Sequence, residues 1–274
     1  MRDAGTTRGG SGQYRPDCSA RDAGISRSPR WRRSASLAPR GLSRPQRAFQ
    51  TGRRFGKLDG VKPFTTDDLL SCYRRGVFPM AESRDDDGFF IVDPEWRCVF
   101  PLDKFHVPRR LARTLRQDHF SFTINRDFAA VIDGCAAPGP DREDTWINPD
   151  IRALYLDLHR KGIAHSVEAR IDGELVGGLY GVAIGGAFFG ESMFSRATDA
   201  SKAALIHLAA RLRYGGFKLL DAQFITPHLS QFGAQTLPRR IFQGLLSVAL
   251  ETKADFYALP EGASGAELVG LLKP

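Results

Sequence analysis

The sequence predicts an α+β protein: a mostly antiparallel sheet, continued through one helical crossover, with a smaller mixed α/β segment ahead of it. Three observations carry this. AHSVEARI (164–171) and ELVGGLYGVAI (174–184) are apolar-rich runs that meet at Asp172-Gly173, a dipeptide suited to a tight hairpin. Gly185-Gly186 turns the chain into a third apolar strand, GAFFGES. A helix over 199–214 then stops at Gly215-Gly216, where glycine tolerates the left-handed cap conformation, and leads into a further strand at 217–223.

In chain order, residues 1–57 are rich in Arg, Ser, Gly and Pro without periodic apolar positions, which predicts a disordered extension. A basic RNA-binding tail, an organellar transit peptide and a start site placed too far upstream all fit it. A small domain is expected over 58–140. It would hold a helix capped by Thr66 and running to about Arg75, a strand at 97–102, a basic helix from Val107 to Gln117, a strand at 120–125 and a helix at 127–136. Pro138-Gly139-Pro140 reads as the connection to a second domain over 141–254. That domain opens with helix 149–161 and closes, after strand 217–223, with a short helix at 227–232 and a helix at 238–252. Residues 255–274 are expected to be a tail. The order α-β-β-β-α-β-α is the layout of the acetyltransferase-like (GNAT) fold, and other α+β domains share it.

The chain has 274 residues, 42% of them hydrophobic and 26% charged, the composition of a globular protein. It contains no run of about 18 apolar residues for a membrane span. The net charge of +8 is unevenly placed. Residues 1–54 hold 13 arginines against three acids, so the remainder carries −2 and any nucleic-acid surface on it must be local. Cys18, Cys72, Cys98 and Cys135 form no CxxC pair, and the six histidines include no HExxH, so neither a metal nor a disulfide framework is expected. No phosphate loop of the form GxxxxGK[ST] occurs. GESMF (190–194) ends in Phe where a nucleophile elbow needs Gly, which argues against Ser192 as a nucleophile.

The informative positions are polar ones in apolar strands. Glu191 sits among Phe188, Phe189, Met193 and Phe194, and Asp221 and Gln223 alternate with Leu220 and Phe224. Burying an ionised group costs free energy unless it is paired or used. The plain alternative for Asp221 and Glu191 is a buried acid paired with an arginine such as Arg196, and for Gln223 a satisfied strand amide.

RRGVFPM (74–80), TWI (145–147), LHRKGIAHSVE (158–168), ELVGGLYGV (174–182), GESMFSRATDASKAAL (190–205), LLDAQF (219–224), HLSQFGA (228–234) and PRRIF (238–242) occur in the order found in leucyl/phenylalanyl-tRNA–protein transferases. The chain resembles that family from about residue 60 to 252. The resemblance implies a GNAT-like catalytic domain working without a cofactor, and without CoA because the turn FSRATDASK (194–202) lacks glycine. It implies transfer of Leu, and less readily Phe, from leucyl-tRNA or phenylalanyl-tRNA to proteins beginning with Arg or Lys. The product is an N-degron made in the cytoplasm, by a monomer that uses no membrane. The other function classes are a GNAT-like acyltransferase with a small acyl donor and a non-catalytic adaptor for Arg/Lys N-termini.

The resemblance also assigns roles. Asp221 would accept the amine proton or position the amine, Gln223 would assist it, and Glu191 would anchor the network. Leu179, Phe188, Met193, Leu205, Leu208 and Leu220 would wall the aminoacyl pocket, although, read without the family, each is simply a core residue. Trp146 would stack on the terminal adenine or pack beneath the domain junction. Arg109, Arg110, Arg113 and Arg116 would face tRNA phosphates, the alternative being a solvated charged face. Where many family members carry a Trp pair or Tyr-Trp, this chain has Phe90-Ile91, a change expected to weaken tRNA binding or shift the aminoacyl preference; Trp96 stands nearby in a different register.

Overall fold

The computed structural model describes residues 50–56, 63–138 and 143–273. Seven strands form the main sheet: β4 (Trp96–Phe100), β5 (Ser121–Ile124), β6 (Ala164–Ile171), β7 (Glu174–Ile184), β8 (Ala187–Ser195), β9 (Leu219–Gln223) and β10 (Gln235–Pro238). Their spatial order is β10-β4-β9-β8-β7-β6-β5. Every pair is antiparallel except β8 and β9, whose parallel pairing requires the crossover helix α5 (Ala200–Tyr214). A second sheet joins β1 (Gln50–Gly56), β3 (Gly88–Val92) and β2 (Phe78–Met80), in that order.

Side-chain alternation divides the core in two. Val99, Tyr180, Phe189 and Leu219 point to one face of the main sheet, and Phe100, Leu179, Phe188 and Leu220 point to the other. The first face is covered by α1 (Thr66–Arg74), α3 (Phe128–Ala136), α4 (Pro149–Arg160) and α7 (Arg239–Glu251). The second is covered by α5, with α2 (Arg109–Arg116) and α8 (Gly265–Leu271) packed around it. Twelve of the fifteen residues of α5 are buried, which explains why it is apolar on nearly every side. A short helix, α6 (Pro227–Ser230), links β9 to β10.

The hairpin strands 164–171 and 174–184 lie where the pattern puts them, and the glycine-ended crossover helix follows one residue later than expected. Other expectations need correction. The cap of α1 is Thr65, whose Oγ1 accepts from the Asp68 amide while the Asp68 carboxylate accepts from the Thr65 amide; Thr66 instead donates to Asp157 Oδ2 at 3.0 Å. Residues 50–56, expected within the disordered extension, are a strand pairing with β3, while 1–49 and 57 lie outside the described residues. The expected boundary near 140 falls inside one sheet, because β4 and β5 come from before it and pair with β9 and β6. The segment expected as a tail contains α8, which carries its own capping box at Ser264 and buries Leu268 and Val269.

α8 seats tightly on the end of α2. The Gly265 amide donates to Asp118 Oδ1 at 2.8 Å, and a Cβ on Gly265 would stand 1.9 Å from the Leu115 carbonyl oxygen. Gly265→Ala is therefore expected to destabilise the protein by about 1–3 kcal/mol through forced backbone displacement, read from the midpoint of urea unfolding.

Candidate active site

β8 and β9 pair only from Ala187↔Leu219 to Phe189↔Asp221 and then part. Each carries an irregularity just beyond that point. In β8, Gly190 faces Gly181 and Ser192 faces Tyr180, so Glu191 is an extra residue opposite none. In β9, Asp221 faces Val99 and Gln223 faces Cys98, leaving Ala222 extra. A bulge shifts the side-chain phase of its strand. Phe188 faces the α5 side before the bulge in β8, and Met193 does so after it. Gln223 holds a left-handed backbone, φ 55°, and its amide donates to Asp221 Oδ1 at 3.0 Å. Between the parted strands lies a cavity of about 280 Å³.

Leu179, Met193, Leu205, Leu208 and Leu220 all line this cavity, with Glu191, Asp221 and Gln223 on its polar wall and Trp146 also among its lining residues. The predicted wall is thus brought together, except for Phe188. Its ring lies elsewhere in the core, stacked on Phe256 at 5.7 Å. Phe78, Met80, Phe100, Tyr180, Phe224 and Leu229 are further lining residues that sequence reasoning missed. Phe90 and Ile91 are buried in β3 and do not line the cavity; Trp96 is half exposed on β4. Arg109, Arg110, Arg113 and Arg116 are exposed on α2, opposite its buried Leu111, Ala112 and Leu115. Arg110 Nη2 reaches Asp199 Oδ2 at 2.7 Å, tying this helix to the turn before α5.

Asp221 is fully buried and does pair with an arginine, but that arginine is Arg97. Arg97 Nε donates to Oδ1 at 2.8 Å and Nη2 to Oδ2 at 2.6 Å, a two-pronged contact. Arg196, the partner suggested by sequence, instead lies over the Phe194 ring and donates to the Leu175 carbonyl. Arg97 Nη1 caps the Gly76 carbonyl at 2.8 Å, and the guanidinium lies 4.6 Å from the ring centres of both Phe78 and Phe242. The neighbouring Cys98 thiol is pushed up to about 12 by burial and by the Asp221 charge, so it is held as a neutral thiol.

Glu191 is different. It is only partly covered, because it fronts the cavity, and among the described residues no arginine or lysine bonds to it. Its Oε1 accepts from the Tyr73 hydroxyl at 2.8 Å and from Gln223 Nε2 at 3.2 Å, and its Oε2 accepts from the Tyr155 hydroxyl at 2.8 Å. The two phenols are fully buried and 2.5 Å apart. Desolvation raises the Glu191 carboxyl to about 7; the tyrosine hydrogen bonds and Arg97 oppose this, and Asp221 adds to it. Both phenols are themselves held well above their ordinary value, first by burial. The site therefore has one acid tied as an ion pair and one that can change its protonation near neutral pH.

Removing one partner of a buried ion pair leaves the other charge uncompensated. Arg97→Ala is expected to cost about 3–5 kcal/mol in urea unfolding, far more than the same change at the exposed Arg109.

Comparison with known proteins shows the family. The family profile described as leucyl/phenylalanyl-tRNA protein transferase matches residues 99–247, and that of its N-terminal domain matches residues 63–95. A leucyl/phenylalanyl-tRNA–protein transferase of Phenylobacterium zucineum is 59% identical over 209 residues, which is 76% of this chain and 95% of that protein. One of Caulobacter vibrioides is 56% identical over 204 residues, covering 74% and 94%. Among solved structures, the C-terminal domain of a putative lysylphosphatidylglycerol synthetase from Agrobacterium fabrum is a loose likeness, 14% identical over 67% of this chain and 62% of that one, with a TM-score of 0.34. Matching along both segments, and over nearly the whole length of these relatives, means that the chain belongs to the leucyl/phenylalanyl-tRNA–protein transferase family.

Proposed function

We propose that the protein transfers leucine, and less readily phenylalanine, from aminoacyl-tRNA to the α-amino group of proteins that begin with Arg or Lys, marking them for degradation in the cytoplasm. The observation that supports this most is the cavity itself: about 280 Å³, walled by aliphatic side chains, with Glu191, Asp221 and Gln223 at one side. Ligand sites for drug-sized molecules run to roughly 300–1,000 Å³, so this one suits an amino-acid side chain, with Trp146 in its lining available to stack on the adenosine. The four exposed arginines of α2 supply a local basic surface for tRNA phosphates on a body that is not basic overall. Aminolysis of the ester needs the acceptor amine unprotonated and aimed at the carbonyl. The polar wall offers hydrogen-bond acceptors that such an amine could meet.

The test is transfer of labelled leucine from leucyl-tRNA to a peptide beginning with Arg, beside one beginning with Ala. Incorporation confined to the Arg peptide is expected. No incorporation would overturn the proposal, in favour of an adaptor if the Arg peptide still binds and of a small-acyl transferase if acyl-CoA supports acylation.

The apolar wall should also set the choice of amino acid. Leu208→Phe adds an aromatic ring to the pocket, and kcat/KM for phenylalanine is expected to fall at least about tenfold further than that for leucine, measured with the two charged tRNAs in parallel.

A further inference from the structure

Three short oxygen–oxygen contacts join Glu191, Tyr73 and Tyr155: Tyr73 Oη to Glu191 Oε1 and Tyr155 Oη to Glu191 Oε2 at 2.8 Å each, and Tyr73 Oη to Tyr155 Oη at 2.5 Å. Each hydrogen bond uses one hydrogen, and two phenols supply two. With Glu191 ionised, both phenols donate to the carboxylate, and their own oxygens then face each other at 2.5 Å with no hydrogen between them. One added proton completes the set. Oε1 already accepts from Tyr73 and Gln223, so the proton belongs on Oε2. Glu191 then donates to Tyr155, Tyr155 donates to Tyr73, and Tyr73 donates to Oε1, closing a ring in which every contact is a hydrogen bond. This triangle is built to hold one proton more than an ionised carboxylate allows. Its only member that lines the cavity is Glu191.

Asp221 lacks this property. Both its oxygens accept from the Arg97 guanidinium, and Oδ1 also takes the Gln223 amide hydrogen, so a proton could be added only by breaking the ion pair. We propose that Glu191, closed against Tyr73 and Tyr155, takes the α-amino proton of the acceptor during aminolysis and returns it to the departing ribose oxygen, while Asp221 positions Arg97 and Gln223. The inference rests on the transfer activity proposed above. The amine nitrogen forms the new C–N bond as its proton passes to Glu191 Oε2. The ester C–O bond then breaks, and the leaving oxygen takes that proton from the ring. One amide and one free hydroxyl result, and the triangle returns to its starting state. The groups that face Glu191 are Tyr73 on α1, Tyr155 on α4, Tyr180 on β7, Gln223 and Asp221 on β9, and Arg97 on β4. Among them, burial outweighs the opposing hydrogen bonds and holds the carboxyl near 7, where a proton can be both accepted and released in neutral solution.

The experiment is a pH profile of kcat/KM for leucine transfer to the Arg-starting peptide, with wild type, Glu191→Gln, Asp221→Asn and the pair Tyr73→Phe with Tyr155→Phe. An α-amino group titrates near pH 8, and Glu191 must also be ionised to act. Wild-type log(kcat/KM) should therefore rise with a slope of about two below pH 7 and about one just above it. In Glu191→Gln the slope should be about one from low pH up to about pH 8, with no break near 7, kcat lowered by about 10²–10⁴ and aminoacyl-tRNA binding retained. Asp221→Asn should keep the steep limb on whatever activity remains. The double phenylalanine variant keeps the carboxylate but not the ring, so its lower break should move away from the wild-type position. A Glu191→Gln enzyme that keeps the steep limb, or a rate within threefold of wild type, overturns the inference. So does loss of the steep limb in Asp221→Asn instead. Should Glu191→Gln fail to fold, an unmoved break in the double variant overturns it equally. Absence of transfer by the wild type would count against the proposed function, a different result from a transfer that ignores Glu191.

Discussion

The buried contact between Arg97 and Asp221 holds together parts of the chain that are far apart in sequence. Asp221 belongs to β9 and Arg97 to β4, on adjacent strands of the main sheet. The same guanidinium caps Gly76 just beyond α1 and lies between Phe78 of the small sheet and Phe242 of α7. Four segments besides its own strand converge on one planar cation, and a lysine could not replace it, having neither the fork nor the flat faces. Placing both charges out of water is costly, and such pairs often contribute little net stability. Its value here is in geometry: the pair fixes the bulged end of β9, and with it the backbone of Gln223 and the floor of the cavity.

Two carboxylates in one site thus have different environments for reasons visible in their partners. Asp221 has a full charge against it and no exposure. Among the described residues Glu191 has only neutral donors, two phenols and an amide, and it has a side open to the cavity. Neutral donors stabilise an anion less than a guanidinium does, so desolvation prevails at Glu191. The β8 bulge is what makes this possible. Without the extra residue, the strand would continue its alternation and Met193 would leave the pocket wall.

Much of the fold was legible because its strands are long. The runs 164–171 and 174–184 kept a clear pattern and a hairpin dipeptide between them, and α5 was marked by its glycine pair. The short strands β2 and β10, three and four residues long, gave no periodic signal. The site was legible in part for the same reason: Glu191, Asp221 and Gln223 stand out as polar residues in apolar strands. Arg97, Tyr73 and Tyr155 do not. Tyr73 and Tyr155 occupy ordinary inward positions on amphipathic helices, and Arg97 lies 124 residues from the acid it serves. Only tertiary pairing reveals such groups. The bulges that aim the acids were equally hidden, since a bulge adds one residue to one strand without any composition of its own.

The polar wall, Glu191, Asp221 and Gln223, is held from behind by Tyr73, Tyr155 and Arg97, which come from three other parts of the sequence. Contacts spanning 124, 118 and 82 residues close the wall, so loop-closure entropy is met before any local segment can acquire it. A chain that has not yet made these long-range pairings therefore lacks the closed wall, even where the β7–β8 hairpin has already formed.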